Sequence, residues 1–201
     1  GTEQEIYTKQ ELIQKFSLDR IQSSGARYDE NKLLWLNGQW IRKIYTEQGI
    51  DALFARTLAF WPENATSHAY QRQVLSIIYD RLKILSELKT FTTYFFTEPT
   101  IDLNILTTNK FLKHFSKTEL ANLLKTAYQT LLELKTWDAN SIQTTLNSLL
   151  ISTNTRPAEL FGLIRIAISF APFSPSLHLT LHVLDRTRSL SRLKSVIKAL
   201  S

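Results

Sequence analysis

The sequence contains no cysteine, which excludes disulfide scaffolds, thiolate metal sites and cysteine nucleophiles and gives no sign of an oxidising compartment. Glycine and proline are scarce, five of each in 201 residues. No glycine-rich phosphate cradle is present, and neither GxGxxG nor GxxxxGK[ST] occurs, so nucleotide binding by this chain is not expected. Long hydrophobic runs are also missing. The stretch Leu163 to Phe173 is interrupted by Arg165 and proline, well short of the roughly 20 apolar residues of a bilayer span, and no secretory pattern opens the chain. A soluble protein without a membrane partner is expected, in the cytoplasm or in an organellar matrix. Methionine is absent and the first residue is glycine, which reads as a piece of a longer protein.

What remains is an ordinary globular mixture, 43% apolar and 21% charged, which excludes disorder as the main state. The length suffices for one domain or two to three small helical units. The net charge of +6 is unevenly placed. Residues 1–108 are close to neutral, whereas 156–201 carry seven basic side chains (Arg156, Arg165, Arg186, Arg188, Arg192, Lys194 and Lys198) against Glu159 and Asp185. Such a local excess suits a polyanion, nucleic acid in particular, and equally describes a solvated helix face.

Helical periodicity dominates and strand alternation is nearly absent, so the fold class is all-α. Thr8 with Glu11 and Ser116 with Glu119 form capping boxes ahead of apolar-periodic segments. Asn31 to Tyr45 is helical, with an Asn37–Gly38 step that bends or divides it. The turn chemistry of 62–67 precedes what reads as the longest helix, Ser67 to Thr90. Pro157 suits the first turn of a helix, Ser174 with Pro175 reads as an N-cap and first-turn proline for a helix over 177–184, and a last helix spans 189–200. That last helix is basic and amphipathic, which fits a membrane surface or, more simply, core packing.

The usual catalytic constellations are absent. His178 and His182 have i, i+4 spacing, but no third ligand of the HExxH kind accompanies them, and surface or cap histidines explain them as well; no metal is expected. Asp29 and Glu30 are adjacent and do not share a helix face. On chemistry alone the chain is a binding module without catalytic residues.

Residues 16–42, FSLDRIQSSGARYDENKLLWLNGQWIR, carry Phe16, Leu18, Arg20 and Ile21, then Tyr28, Asp29, Lys32, Leu33, Trp35 and Asn37, and close on Trp40, Ile41 and Arg42. This order resembles the region that follows the catalytic core of glutamyl-tRNA synthetase, a class I aminoacyl-tRNA synthetase. Two later blocks agree: RLKILSELKTFTTYFF at 81–96, and 156–193, which resembles the family's LRxALTG, SPxL and LGKER-like tail. Ser169 and Phe170 depart from the usual Thr-Gly, and 184–188 depart from LGKER. The HIGH and KMSKS signatures are absent.

The resemblance implies a helical stem-contact segment (1–45) followed by two helical-bundle anticodon-binding subdomains (46–96 and 97–201). It implies tRNA as partner, tRNA for glutamate in particular, and a monomer. ATP and Mg would belong to a catalytic domain outside this chain, which should be inactive alone. Arg81 matches the arginine that faces the last anticodon base, and its alternative is a surface arginine paired to a local acid. Arg165, inside an apolar run, either pairs with an acid such as Glu159 or projects into the anticodon pocket. Ser174, Pro175 and Leu177 match the SPxL turn. Arg186, Arg188, Arg192 and Lys194 are assigned to phosphates, and Arg27, Arg42 and Lys43 to the stem. A helical protein-interaction scaffold and a stand-alone RNA-binding factor remain the rival readings.

Overall fold

The structure is a computed structural model that describes residues 4–21, 25, 28–171 and 174–201. Ten α-helices occur among these residues, with no strand. They are α1 (Lys9–Lys15), α2 (Glu30–Thr57), α3 (His68–Ile78), α4 (Glu87–Phe96), α5 (Leu103–Thr108), α6 (Lys117–Leu132), α7 (Ala139–Thr153), α8 (Pro157–Ser169), α9 (Leu177–Leu184) and α10 (Arg186–Leu200).

The two expected capping boxes are both formed. In α1 the Glu11 amide donates to Thr8 Oγ1 while the Thr8 amide donates to the Glu11 carboxylate. Ser116 and Glu119 do the same at α6. Each box satisfies two amides that would otherwise lack a helical acceptor. Pro157 opens α8, where its missing N–H costs nothing.

Four local expectations are corrected. Gly38 does not divide α2. It is buried within the helix, and a Cβ there would come within 3.1 Å of the Leu82 carbonyl oxygen, so the glycine permits a close approach of backbone to backbone. The bend falls at Gly49, whose φ of 82° lies in the left-handed region that glycine enters without steric cost. The long helix over 67–90 is two helices. α3 ends at Ile78, a 3₁₀ turn covers Tyr79–Arg81, and α4 starts at Glu87. Between them the Lys83 and Ile84 amides donate to the Glu87 carboxylate at 2.7 and 3.3 Å, which ties the connecting loop to the first turn of α4. Finally, α9 begins at Leu177. Its first helical bond runs from the Thr180 amide to the Ser176 carbonyl, so Ser174 and Pro175 lie in the segment entering the helix. The last helix starts three residues earlier than expected, with Asp185 accepting from the Arg188 amide.

One connected core holds the body together, from Ile41 and Leu53 through Leu88, Phe95 and Leu124 to Leu193 and Leu200. α10 packs on α6 and α8, α7 on α9, α3 on α2 and α9. α2 also lies against the Tyr79–Arg81 turn, where the Tyr45 and Tyr79 rings stack at 3.7 Å. The expected boundary between residues 45 and 46 falls inside α2. Among the described residues no helix is long and apolar enough to cross a membrane.

Candidate nucleic-acid interface

Arg81 stands at the end of the 3₁₀ turn that follows α3, and Arg165 is the one charged residue in the otherwise apolar second half of α8. Although 84 residues separate them in sequence, the fold brings their charges into one neighbourhood. Burial first, and the charge of Arg81 second, push the pKa of Arg165 below its ordinary value. The buried Nε of Arg165 has no hydrogen-bond partner among the described residues, and the carboxylate of Glu159, its anticipated mate, is held by Arg156 and His114. The buried-ion-pair alternative therefore does not hold. Arg81 is exposed and has no ion pair among the described residues.

A cleft of about 230 Å³ opens beside Arg165 and is lined by Gln143, Asn147, Phe161, Ser176, Leu177 and His178 as well. Amide, hydroxyl and imidazole groups there offer donors and acceptors above an apolar floor, a mixture suited to the edge and face of an unpaired base. Burial pushes His178 below its usual pKa, which favours the neutral ring with one donor and one acceptor. Leu177 is buried at the head of α9, as the SPxL match requires of an apolar anchor. Ser174 and Pro175 are buried beside it, and the Ser174 hydroxyl donates to the Pro175 carbonyl at 3.1 Å.

His178 and the pair Gln143 and Asn147 escaped the sequence reading. Gln143 and Asn147 sit four apart on α7 and so share a face, but no motif distinguishes them from surface amides. His182 faces elsewhere, its Nδ1 3.1 Å from the Trp137 carbonyl oxygen. Among the described residues no group of histidine and carboxylate side chains could hold a metal ion.

The assignment of the basic tail to phosphates needs correction. Arg192 is 5% exposed. Its Nε donates to Glu98 at 2.9 Å, its Nη1 to the Ile168 carbonyl at 2.7 Å and its Nη2 to the Tyr94 carbonyl at 2.9 Å, leaving no nitrogen for an external phosphate. Arg188 is similarly engaged, Nε with Asp185, Nη1 with the Phe95 carbonyl and Nη2 with the Tyr70 hydroxyl. Arg186 is half-buried and donates to the Leu132 carbonyl. Of these four assigned residues only Lys194 is exposed. A formal charge count overstates the field of such a tail, because a guanidinium bonded inside the protein is poorly placed to meet a polyanion.

At the stem-side end, Arg42 is tied to the body, Nη1 donating to the Asp80 carbonyl at 2.8 Å. Lys43 lies 3.8 Å from Glu47 and over the Trp40 ring. Arg27 lies outside the described residues.

Comparison with known proteins bears on the chain as a whole. Residues 52–197 match the family described as "Anticodon binding domain". The glutamate–tRNA ligase of Chloroflexus aurantiacus is 34% identical over 98% of this chain and 40% of its own length. That of a Roseiflexus species is 35% identical over 98% and 39%. The chain thus spans about 40% of the length of the curated relatives it matches. A crystal structure of a glutamate tRNA ligase from Elizabethkingia meningosepticum, in complex with its amino acid, superposes with a TM-score of 0.74 at 20% identity, covering 96% of this chain and 37% of the other. The chain belongs to the anticodon-binding domain family and aligns over nearly its whole length with glutamate–tRNA ligases.

Proposed function

We propose that this chain is the tRNA-reading part of a glutamate–tRNA ligase, and that it recognises the anticodon of tRNA for glutamate. The observation that carries this reading is Arg165, whose buried Nε has no partner among the described residues and which lines a polar cleft, within electrostatic reach of the exposed Arg81. Two cations brought together repel. The arrangement is relieved by an acceptor-rich ligand, and an unpaired cytosine offers two acceptors on its Watson–Crick edge, O2 and N3, with a phosphate beside them. A guanine at the same place presents an N1–H donor to a guanidinium that has only donors, so an anticodon ending in C is favoured over one ending in G. The cleft lined by Gln143, Asn147, Leu177 and His178 takes a neighbouring base. In this reading the activation of glutamate by ATP and Mg belongs to the remainder of a full-length ligase, and Lys194 contributes one phosphate contact.

The test is equilibrium binding of the chain to tRNA for glutamate, to the same tRNA with its last anticodon base changed from C to G, and of Arg81→Ala to both. Removing a charged donor from a well-made contact costs about 1.5–3 kcal/mol, roughly ten- to hundredfold in Kd. The C form should lose that much with Arg81→Ala, and the G form little. Equal affinity of the unsubstituted chain for C and G would refute anticodon reading, and no binding at low salt would favour the scaffold.

A further inference from the structure

α10 carries two arginines one turn apart, Arg188 and Arg192, whose guanidinium groups reach across the molecule and not into solvent. Arg188 donates to the Tyr70 hydroxyl at 2.7 Å and to the Phe95 carbonyl at 2.8 Å, with the Tyr70 ring 4.9 Å from its guanidinium carbon. Tyr70 belongs to α3, the helix that runs into the turn bearing Arg81. Arg192 donates to the Ile168 carbonyl at 2.7 Å, at the end of α8 and three residues beyond Arg165. It also holds the Tyr94 carbonyl at 2.9 Å and both oxygens of Glu98 at 2.9 and 3.1 Å. The carbonyls at the ends of α4 and α8 carry the negative end of each helix dipole, so a planar cation with divergent donors fits between them.

A single helix therefore grips the helix that leads to Arg81 and the helix that carries Arg165. Arg81 follows α3 through the Tyr79–Arg81 turn, and Arg165 lies one turn before the Ile168 carbonyl that Arg192 holds, so the grip of α10 bears on where both side chains stand. We propose that Arg188 and Arg192 are positioning residues for anticodon selectivity, holding Arg81 and Arg165 at the separation at which one nucleotide meets both. This inference rests on the anticodon reading above. Neither residue touches RNA. Their effect passes entirely through the spacing of α3 and α8.

The absence of cysteine allows a clean measurement. Spin labels are placed at Gln73→Cys on α3 and Ala158→Cys on α8, both exposed, and the distance distribution between them is recorded by double electron–electron resonance with and without Arg192→Lys. Lysine keeps the charge but supplies one nitrogen where three separate acceptors must be met. The parent should give a narrow distribution, and the variant a broader one. Binding is measured in parallel, well below the variant's Tm. Affinity for the C-ending anticodon should fall about tenfold while that for the G-ending form stays within about twofold, a coupling of ordinary size between sites. A merely structural arginine would lower Tm and leave the ratio of C to G binding alone, and that result, or an unchanged distance distribution, would overturn the proposal. Arg188→Lys, at a partly exposed position, gives the same comparison if Arg192→Lys does not fold. Equal binding of the two tRNA forms by the parent is a different failure, that of the anticodon reading, and the distances report on the junction independently of it.

Discussion

α1 and α6 begin in the same way, with a capping box of the same chemistry, and end in opposite circumstances. α6 buries Leu120, Ala121, Leu124, Ala127 and Leu131. α1 buries nothing, and Leu12, Ile13 and Phe16 stand more than half exposed. Local signals thus start a helix whether or not it has anything to pack against, while tertiary burial decides how much that helix matters to the stability of the whole.

The sharpest way to break this comparison is to truncate one leucine in each. Leu124→Ala should cost about 2–5 kcal/mol of unfolding free energy, whereas Leu12→Ala should stay within about 0.5 kcal/mol. Both are read from urea midpoints at constant slope, and a matching loss at Leu12 would show that α1 folds as part of the core. Removing the caps gives a smaller contrast. Ser116→Ala should lower global stability by about 1 kcal/mol, while Thr8→Ala should leave the midpoint in place and appear only as faster amide exchange within α1. The smallest effect concerns pH. Hydrogen bonds from Arg156 hold the Glu159 carboxyl below its ordinary pKa of 4.5, and bonds from Thr8 do the same for Glu11. A carboxyl whose folded pKa lies below its unfolded one stabilises above the unfolded value and loses that contribution as pH falls through the folded value. Glu159→Gln should therefore flatten the decline of the midpoint below about pH 4.5, and Glu11→Gln should not. A like response from Glu11 would again join α1 to the body.

The all-α class, both capping boxes and Pro157 were legible because each is written in residues adjacent in sequence. The break after Ile78 was not. Apolar spacing continues through Leu82 and Leu85, whereas the connection between the two helices is held by the Glu87 carboxylate turning back onto the Lys83 and Ile84 amides, a contact without a motif. Gly38 and Gly49 show the same limit, since only the fold tells which glycine bends the chain and which admits a neighbour's backbone. At the candidate site, Arg81, Arg165 and Leu177 were nominated through family resemblance. The lining amides and His178 were not, because their meaning comes from α7 and α9 lying side by side. The basic tail misled for a related reason: sequence counts charges but does not say which are already bonded inside.

The packing of α2 against the Tyr79–Arg81 turn has one more implication. Arg42 binds the carbonyl of Asp80, and Gly38 lies against the carbonyl of Leu82, so the backbone just before and just after Arg81 rests on the same helix. Arg81 consequently has little backbone play of its own and is braced by α2 as well as by α3. From Leu33, exposed near the far end, to Arg42 the helix runs about 14 Å at ~1.5 Å per residue, a stiff rod with a load at one end and a pointer at the other. Leu33 and Trp35, exposed on the outer stretch of that rod, thus share one continuous helical segment with the residues that hold the backbone around Arg81.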